Sequence, residues 1–317
     1  MVRLMKKIRN LIAWLILIAA TTFTVIYREQ IITYLLVEII YADELTLKEK
    51  NKYYNDSDYL YLKNTNDFSP SNKEELLNIF YTIVNSGWEE FSFTCDIEYK
   101  NCVNDIQELL NNTYPLSYIN NFIHPYNSFK SIEITTNNYG RVEVYIDKLY
   151  SEEEIKLIEN ELNKIYNQLT TNNMTDYDKI KTIHDYIVNN TKYLLETEKD
   201  EKGNSIYPLG TNKAYGPIIN HVANCGGYTD LMTLFLYKMN IKNLKISNEE
   251  HIWNLIYIDN NWKHLDLTWD DPITDTGADI LTHNFFLISS DELANKNVAE
   301  HNYDKKVFRE TEKQLEN

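Results

Sequence analysis

The chain has 317 residues, 31 Lys and Arg against 47 Asp and Glu, a formal charge of −16, and three cysteines. The length exceeds the usual single domain of about 100–200 residues, so two folded units are expected, and 43% hydrophobic with 13% aromatic residues rules out wholesale disorder. The acidic balance excludes nucleic acid as a partner, because polyanions bind basic faces. Three cysteines are too few for a disulfide-built scaffold, and their odd number leaves at least one without an internal partner.

The N-terminal stretch from Leu11 to Tyr27 carries no charge and follows Arg3, Lys6, Lys7 and Arg9. It lies at the short end of the roughly 17–25 residues that span a bilayer, which predicts a transmembrane helix over about 10–27. The basic flank stays cytoplasmic and sends everything after Arg28 to the outer side of the cell membrane. A cleaved signal peptide is the competing reading. Its apolar core runs about 7–15 residues to a small-residue site, whereas here the run continues past Ala19 and Ala20 through Phe23. An uncleaved signal-anchor is preferred. Ile31 to Tyr41 is apolar again except for Glu38, so residues 1–42 read as an anchor with a membrane-proximal amphipathic helix. Outside the cytoplasm Cys95 and Cys102 can form a local disulfide or remain two thiols. If they pair, Cys225 is left alone, and an unpaired thiol in an exported protein is a candidate nucleophile.

Residues 43–70 are rich in Asn, Asp and Tyr without a sustained period and read as a linker or stalk. From Ser71, a possible cap, Leu76, Leu77, Ile79, Phe80 and Ile83 form a helical stripe. Glu90 to Thr94 reads as a strand, Val103 to Leu110 as a helix, and residues 132–135 and 142–146 as strands joined by a turn at 137–140. Glu152 to Leu169 is helical again, so residues 71–170 make a small α/β unit without visible chemistry. A second unit, 171–317, opens at Thr175 with Tyr177, Ile180, Ile183, Ile187 and Val188 on one helical face. His184 shares that face, which predicts a packed, hydrogen-bonded histidine. After a charged loop over 195–210, Tyr228, Leu231, Met232, Phe235 and Met239 mark a buried helix that begins just after Asn224-Cys225-Gly226-Gly227.

A cysteine opening a helix has a physical advantage, because the positive end of the helix and its free N–H groups stabilise a thiolate. Gly226 and Gly227 permit a tight turn and close approach to a carbonyl, and the Cys225 amide is a candidate oxyanion donor. Downstream, 251–258 and 262–269 alternate as strands around an Asp259-Asn260-Asn261 turn. A two-residue turn at Asp259-Asn260 pairs Trp253 with Asp266 and sets Asp266 diagonal to His251 on one face, about 7–8 Å apart. A three-residue loop would put Asp266 on the other face, and a turn one residue later would set Asp270 opposite His251. Asp266 is therefore the favoured partner of His251, and Asp270 the reserve. His264, inside the strand, is expected to pack or support. A zinc site from His251, His264 and aspartates has no close ligand pair at helix spacing. Asp270, Asp271, Asp275 and Asp279 match no calcium loop and read as a solvated segment. Trp253, Trp262 and Trp269 read as core or pocket wall.

These segments resemble the transglutaminase-like cysteine hydrolases. "DYDKIKTIHDYIVNNTKY" (176–193) is similar to the family's opening helix, and "KAYGPIINHVANCGGYTDLMTLFL" (213–236) to its nucleophile loop and helix. "HIWNLIYIDNNWKHLDLTWDDP" (251–272) is similar to its His and Asp strands, and "HNFFLISSDEL" (283–293) to its ending, so the likeness covers about 170–293. Gly226 departs from it, since a bulkier polar residue is expected after the cysteine. The resemblance implies an α+β, papain-related transglutaminase-like domain following the small α/β domain and the transmembrane helix. It carries over Cys225 as nucleophile, His251 as base and Asp266 as orienting acid, with neither cofactor nor metal. The expected function is a membrane-anchored, outward-facing peptidase or amidase acting on surface protein or peptide. Its alternatives are a protein-crosslinking transglutaminase and an inactive binding module on the same fold.

Overall fold

The computed structural model describes residues 2–35, 48–96, 98–112, 114–137, 140–194, 198–199, 205–206, 210–272 and 280–312. Helix α1 (Val2–Ile26) contains the apolar stretch Met5–Ile26, none of which is buried by the rest of the chain. Twenty-two helical residues rise about 33 Å, enough by length and composition to cross a bilayer. Helix α2 (Arg28–Tyr34) follows at once. Of the amphipathic helix expected over 31–41, residues 36–41 lie outside the described residues, as do 43–47.

The reading of 43–70 as a linker fails over its described part, 48–70. Tyr59, Leu62 and Phe68 are buried, and Trp88 Nε1 donates to the Glu49 carbonyl at 3.1 Å. Side-chain amides hold this irregular segment in place of a ladder. Asn85 Nδ2 donates to the Asn55 carbonyl at 2.7 Å and to Asn64 Oδ1 at 2.9 Å. A segment fixed by amides carries no period, so hydrophobic patterning could not reveal that it is packed.

Helix α3 (Lys73–Asn85) follows the predicted stripe, but its cap is Asn72, which accepts from Glu75 N at 3.0 Å, and not Ser71. Ser71 instead bonds the Glu75 carboxylate. Strand β1 (Glu90–Thr94) leads to α4 (Cys102–Asn111) and the short α5 (Tyr114–Ser117). Strands β2 (Phe129–Thr136) and β3 (Arg141–Lys148) complete an antiparallel sheet in the order β1-β3-β2. Helix α6 (Glu152–Leu169) opens with a Ser151–Glu154 capping box. Then come α7 (Asp176–Asn190), capped by Thr175, the two-residue strands β4 (Lys192–Tyr193), β5 (Glu198–Lys199), β6 (Ser205–Ile206) and β7 (Val222–Ala223), and helix α8 (Cys225–Lys238). A second antiparallel sheet of β8 (Asn243–Ser247), β9 (Ile252–Ile258) and β10 (Asn261–Leu265) precedes α9 (Ser290–Lys296).

The two faces of the second sheet explain how the chain packs. Ile256 and Leu265 join α6, α7 and α8 in one core, with Tyr126 and Tyr150. Leu244, Ile246, Trp253 and Leu255 face the other core, with Phe80, Phe93, Val144 and Phe308. Both cores therefore draw residues from either side of position 170, and neither respects the boundary read from the sequence.

Cys95, just past β1, is bonded to Cys102 at the start of α4. The loop-closure estimate for so short a ring is about 2–3 kcal/mol. Reducing the pair, with Cys225 blocked beforehand, should lower the unfolding free energy of the full chain in detergent by that amount, read as a fall in its urea midpoint. An unchanged midpoint would show that the unfolded chain gains nothing from losing the tie.

Candidate active site

Cys225 is the first residue of α8, and the local sequence explains how it gets there. The preceding β7 pairs in parallel with β4, which aims the chain at the helix start. Asn224 is in extended conformation and its Oδ1 accepts from Gly226 N and Gly227 N at 3.0 and 3.3 Å. The cap uses those two amides and not that of Cys225, in keeping with an oxyanion role for the latter. Both glycines are required by close approach. A Cβ on Gly227 would fall 2.4 Å from the Thr211 carbonyl oxygen, and one on Gly226 2.8 Å from that of Asn212. The glycine that departs from the family pattern is thus matched to a loop that leaves no room for a larger residue. Residues Gly227 to Leu236 are buried without interruption, so α8 is a central helix whose exposed end presents a free, half-buried thiol.

His251 lies immediately before β9, and the predicted register holds. Asp259 and Asn260 have φ of 51° and 62°, the paired positive values of a type I′ turn, and Asn261 pairs with Ile258 through to Leu265 with Asn254. The strand ends at Leu265 and not at Trp269, because Asp266 turns the chain with its own side chain. Its Oδ1 accepts from Thr268 N and Trp269 N at 2.9 and 3.2 Å. Its Oδ2 meets His251 Nε2 at 2.6 Å, which leaves Nδ1 as the ring nitrogen open to the thiol of Cys225, a group near enough to act on the imidazole.

The electrostatics follow from burial and pairing. Burial alone would depress His251, but the charge and hydrogen bond of Asp266, with a contribution from Cys225, outweigh it and raise the imidazole to about 10. Burial would raise Asp266, but the charge and hydrogen bond of His251 and the bond from His301 hold its carboxyl at about 2. The arrangement keeps a protonated imidazole between an ionised carboxylate and a thiol, the condition for a thiolate–imidazolium pair.

One contributor was not legible. His301 Nε2 shares Asp266 Oδ2 at 2.8 Å, its ring stacks on Phe285, and its Nδ1 is buried with no hydrogen-bond partner among the described residues. It sits in a short turn, Ala299–His301, that has neither period nor motif.

The other singled-out residues take supporting places. His264 accepts from Trp253 Nε1 at 3.0 Å and meets Ser290 Oγ at 3.1 Å, and burial, then the nearby His301, drive it down to about 3, so it stays neutral and fixes Trp253. Trp253 is fully buried core, while Trp262 and Trp269 pack at its margin. His184 is buried as expected, between Asp185 (2.9 Å) and Asp270 (3.2 Å). Asp270 also accepts from Thr282 Oγ1 and Phe285 N at 3.0 and 2.9 Å, so it anchors the following loop and does not face His251. Asp271, predicted to be solvated, is buried and accepts from Tyr228 OH at 2.5 Å. Asp275 and Asp279 lie outside the described residues. Ligand atoms of His251, Asp266 and His301 are close enough together to share a cation, but all three residues are buried, and Asp266 Oδ2 and His251 Nε2 already serve the line to the thiol.

The family model of the transglutaminase-like superfamily matches residues 163–267, about a third of the chain and a span that includes Cys225, His251 and Asp266. Among solved structures, a TGase is 15% identical with a TM-score of 0.30, over 44% of this chain and 44% of that one. A candidate cysteine protease from Cytophaga hutchinsonii is 15% identical with a TM-score of 0.26, over 48% of this chain and 65% of that one. The chain thus spans less than two thirds of either structure. No curated protein matches the sequence. The chain carries an α+β domain of the transglutaminase-like superfamily, whose members are generally cysteine hydrolases or acyltransferases.

Proposed function

We propose that the protein is a membrane-anchored thiol acyl-transfer enzyme, working outside the cytoplasm as a peptidase or amidase on surface protein or peptide. The observation that carries this reading is the line Cys225–His251–Asp266, with the thiol at the positive end of a buried helix. The Cys225 thiolate attacks the carbonyl carbon of a peptide or carboxamide, and the developing oxyanion is met by the Cys225 amide. The carbon–nitrogen bond breaks as His251 gives its Nδ1 proton to the departing amine, leaving a thioester. Water then attacks the thioester and passes a proton to His251, and the acid is released with the thiol regenerated. A lysine amine in place of water would give a crosslink by the same route.

The outward address is supported by the basic residues ahead of α1 and by the Cys95–Cys102 disulfide, a bond that persists in oxidising compartments. The test is to incubate the full chain in detergent with a glutamine-containing peptide and a labelled amine, then weigh the products. Acid products at Gln or at a peptide bond, absent with Cys225→Ala, are expected. Amine adducts as the main product would make the enzyme a crosslinker. No product, together with Cys225 alkylation no faster than that of an ordinary buried thiol, would leave only a binding module.

A further inference from the structure

A second cluster of metal-ligating groups takes no part in the chemistry above. His184 and Asp185 come from α7, and His283 from the segment before α9. His184 Nδ1 and His283 Nε2 stand 2.9 and 2.6 Å from the same oxygen, Asp185 Oδ1, and the three ligand atoms all lie within 4.8 Å of one another. We propose that His184 Nδ1, Asp185 Oδ1 and His283 Nε2 bind a divalent transition metal of the zinc class and so clasp α7 to the chain that follows β10.

Three features of the cluster point to a cation. The donor set of two imidazoles and one carboxylate suits zinc, whose bonds of about 2.0–2.1 Å set tetrahedral edges of about 3.3 Å, so the two contacts to Asp185 Oδ1 would open by roughly 0.4 and 0.7 Å. His184 is fully buried and its far nitrogen, Nε2, lies 3.2 Å from Asp270 Oδ2. That carboxylate is itself held by Thr282 and Phe285. A carboxylate behind an imidazole is the arrangement that fixes a metal-binding histidine, because it takes the Nε2–H and turns the Nδ1 lone pair toward the ion. His283 Nε2 is also offered more partners than one nitrogen can satisfy. His283 Nε2 faces both Asp185 Oδ1 at 2.6 Å and the Lys181 ammonium at 3.0 Å. One ring nitrogen cannot donate to the first and accept from the second together. Lys181 Nζ also lies 2.6 Å from Asp185 Oδ2, so a positive charge already stands beside these ligands and competes for them. His283 and Asp185 are partly exposed, 36% and 28% by side chain, which gives the ion a way in. The fourth position is left for water.

The test uses the full chain in detergent, stripped with chelator, and zinc alone as the probe, titrated in competition with a chromophoric chelator. One zinc per chain is expected, with a raised unfolding temperature at saturation. His283→Ala, a change at an exposed ring, should weaken binding by at least about 100-fold, since loss of a mere outer partner already costs about 10–100-fold. Asp185→Asn should weaken it similarly. Lys181→Ala should tighten binding, which a merely adventitious surface site would not do. Cys225→Ala and His301→Ala should leave the titration unchanged. Absence of stoichiometric binding, its survival in both His283→Ala and Asp185→Asn, or its loss in Cys225→Ala would each overturn the proposal.

Discussion

Cys225→Ala is expected to abolish turnover, and His251→Ala to cost nearly as much, about 10⁴–10⁶-fold in kcat/KM, because the two act as one unit. Asp266→Asn should cost about 10⁴-fold by leaving the imidazole misoriented and uncharged. The paired measurement, which needs no substrate, is the rate of Cys225 alkylation against pH. In the native chain His251 keeps its proton up to about 10, so the imidazolium beside the thiol should persist through neutral and mildly alkaline solution. In Asp266→Asn the carboxylate no longer opposes the burial that depresses the imidazole, and the alkaline limit of the pair should fall by several pH units. An unmoved limit would mean that Asp266 does not govern His251.

The same pair gives stability a defined pH window, with the sign set by each shift. Asp266 is held at about 2, below its unfolded value, so its contribution is full above about 4 and is lost as pH falls through about 2. His251 is raised to about 10, so its contribution is full below about 6.5 and is lost as pH rises through about 10. Both act together between about 4 and 6.5, and the two shifts describe one interaction, not two to be added. Asp266→Asn should flatten both limbs of the unfolding temperature against pH.

How much of this could be read in advance depends on whether a contact leaves a local pattern. The hairpin register followed from Asp259-Asn260 and the alternation around them, and with it the placement of Asp266 near His251. The helix that presents Cys225 followed from its apolar stripe. Residues 48–70 and His301 left no such trace, since the first is held by asparagine side chains reaching 20 to 30 residues along the chain and the second meets Asp266 across 35. The boundary at 170 failed for a related reason. Alternation shows that a sheet has two faces, but not what covers each, and here residues before 170 help cover both. Burial of Asp271 was likewise invisible, because a run of acidic residues reads as solvated until a partner such as Tyr228 is found.

The largest stability effect is expected at a buried ion pair that couples these layers. Lys245 on β8 and Asp230 on α8 meet at 2.7 Å with side chains only 4% and 5% exposed. Tyr150, at the turn between β3 and α6, donates to the other Asp230 oxygen at 2.6 Å and accepts from Ala214 N at 2.8 Å. One carboxylate thus ties the second sheet to the central helix, to the segment before 170, and to the loop that runs into Cys225. Lys245→Met leaves Asp230 charged and buried with a single neutral partner, which should cost about 3–5 kcal/mol. In a folded body of this size that is on the order of 10 °C in unfolding temperature. Asp230→Leu with Lys245→Met removes both charges, and it should recover most of the loss, because two apolar side chains replace a pair that was expensive to desolvate. Tyr150→Phe keeps the pair but strands the Ala214 amide, so it should cost less in stability and more in Cys225 alkylation rate. If Lys245→Met unfolds no earlier than the native chain, the pair is not what binds the layers together, and the apolar packing of α8 alone must hold the loop in register with the thiol.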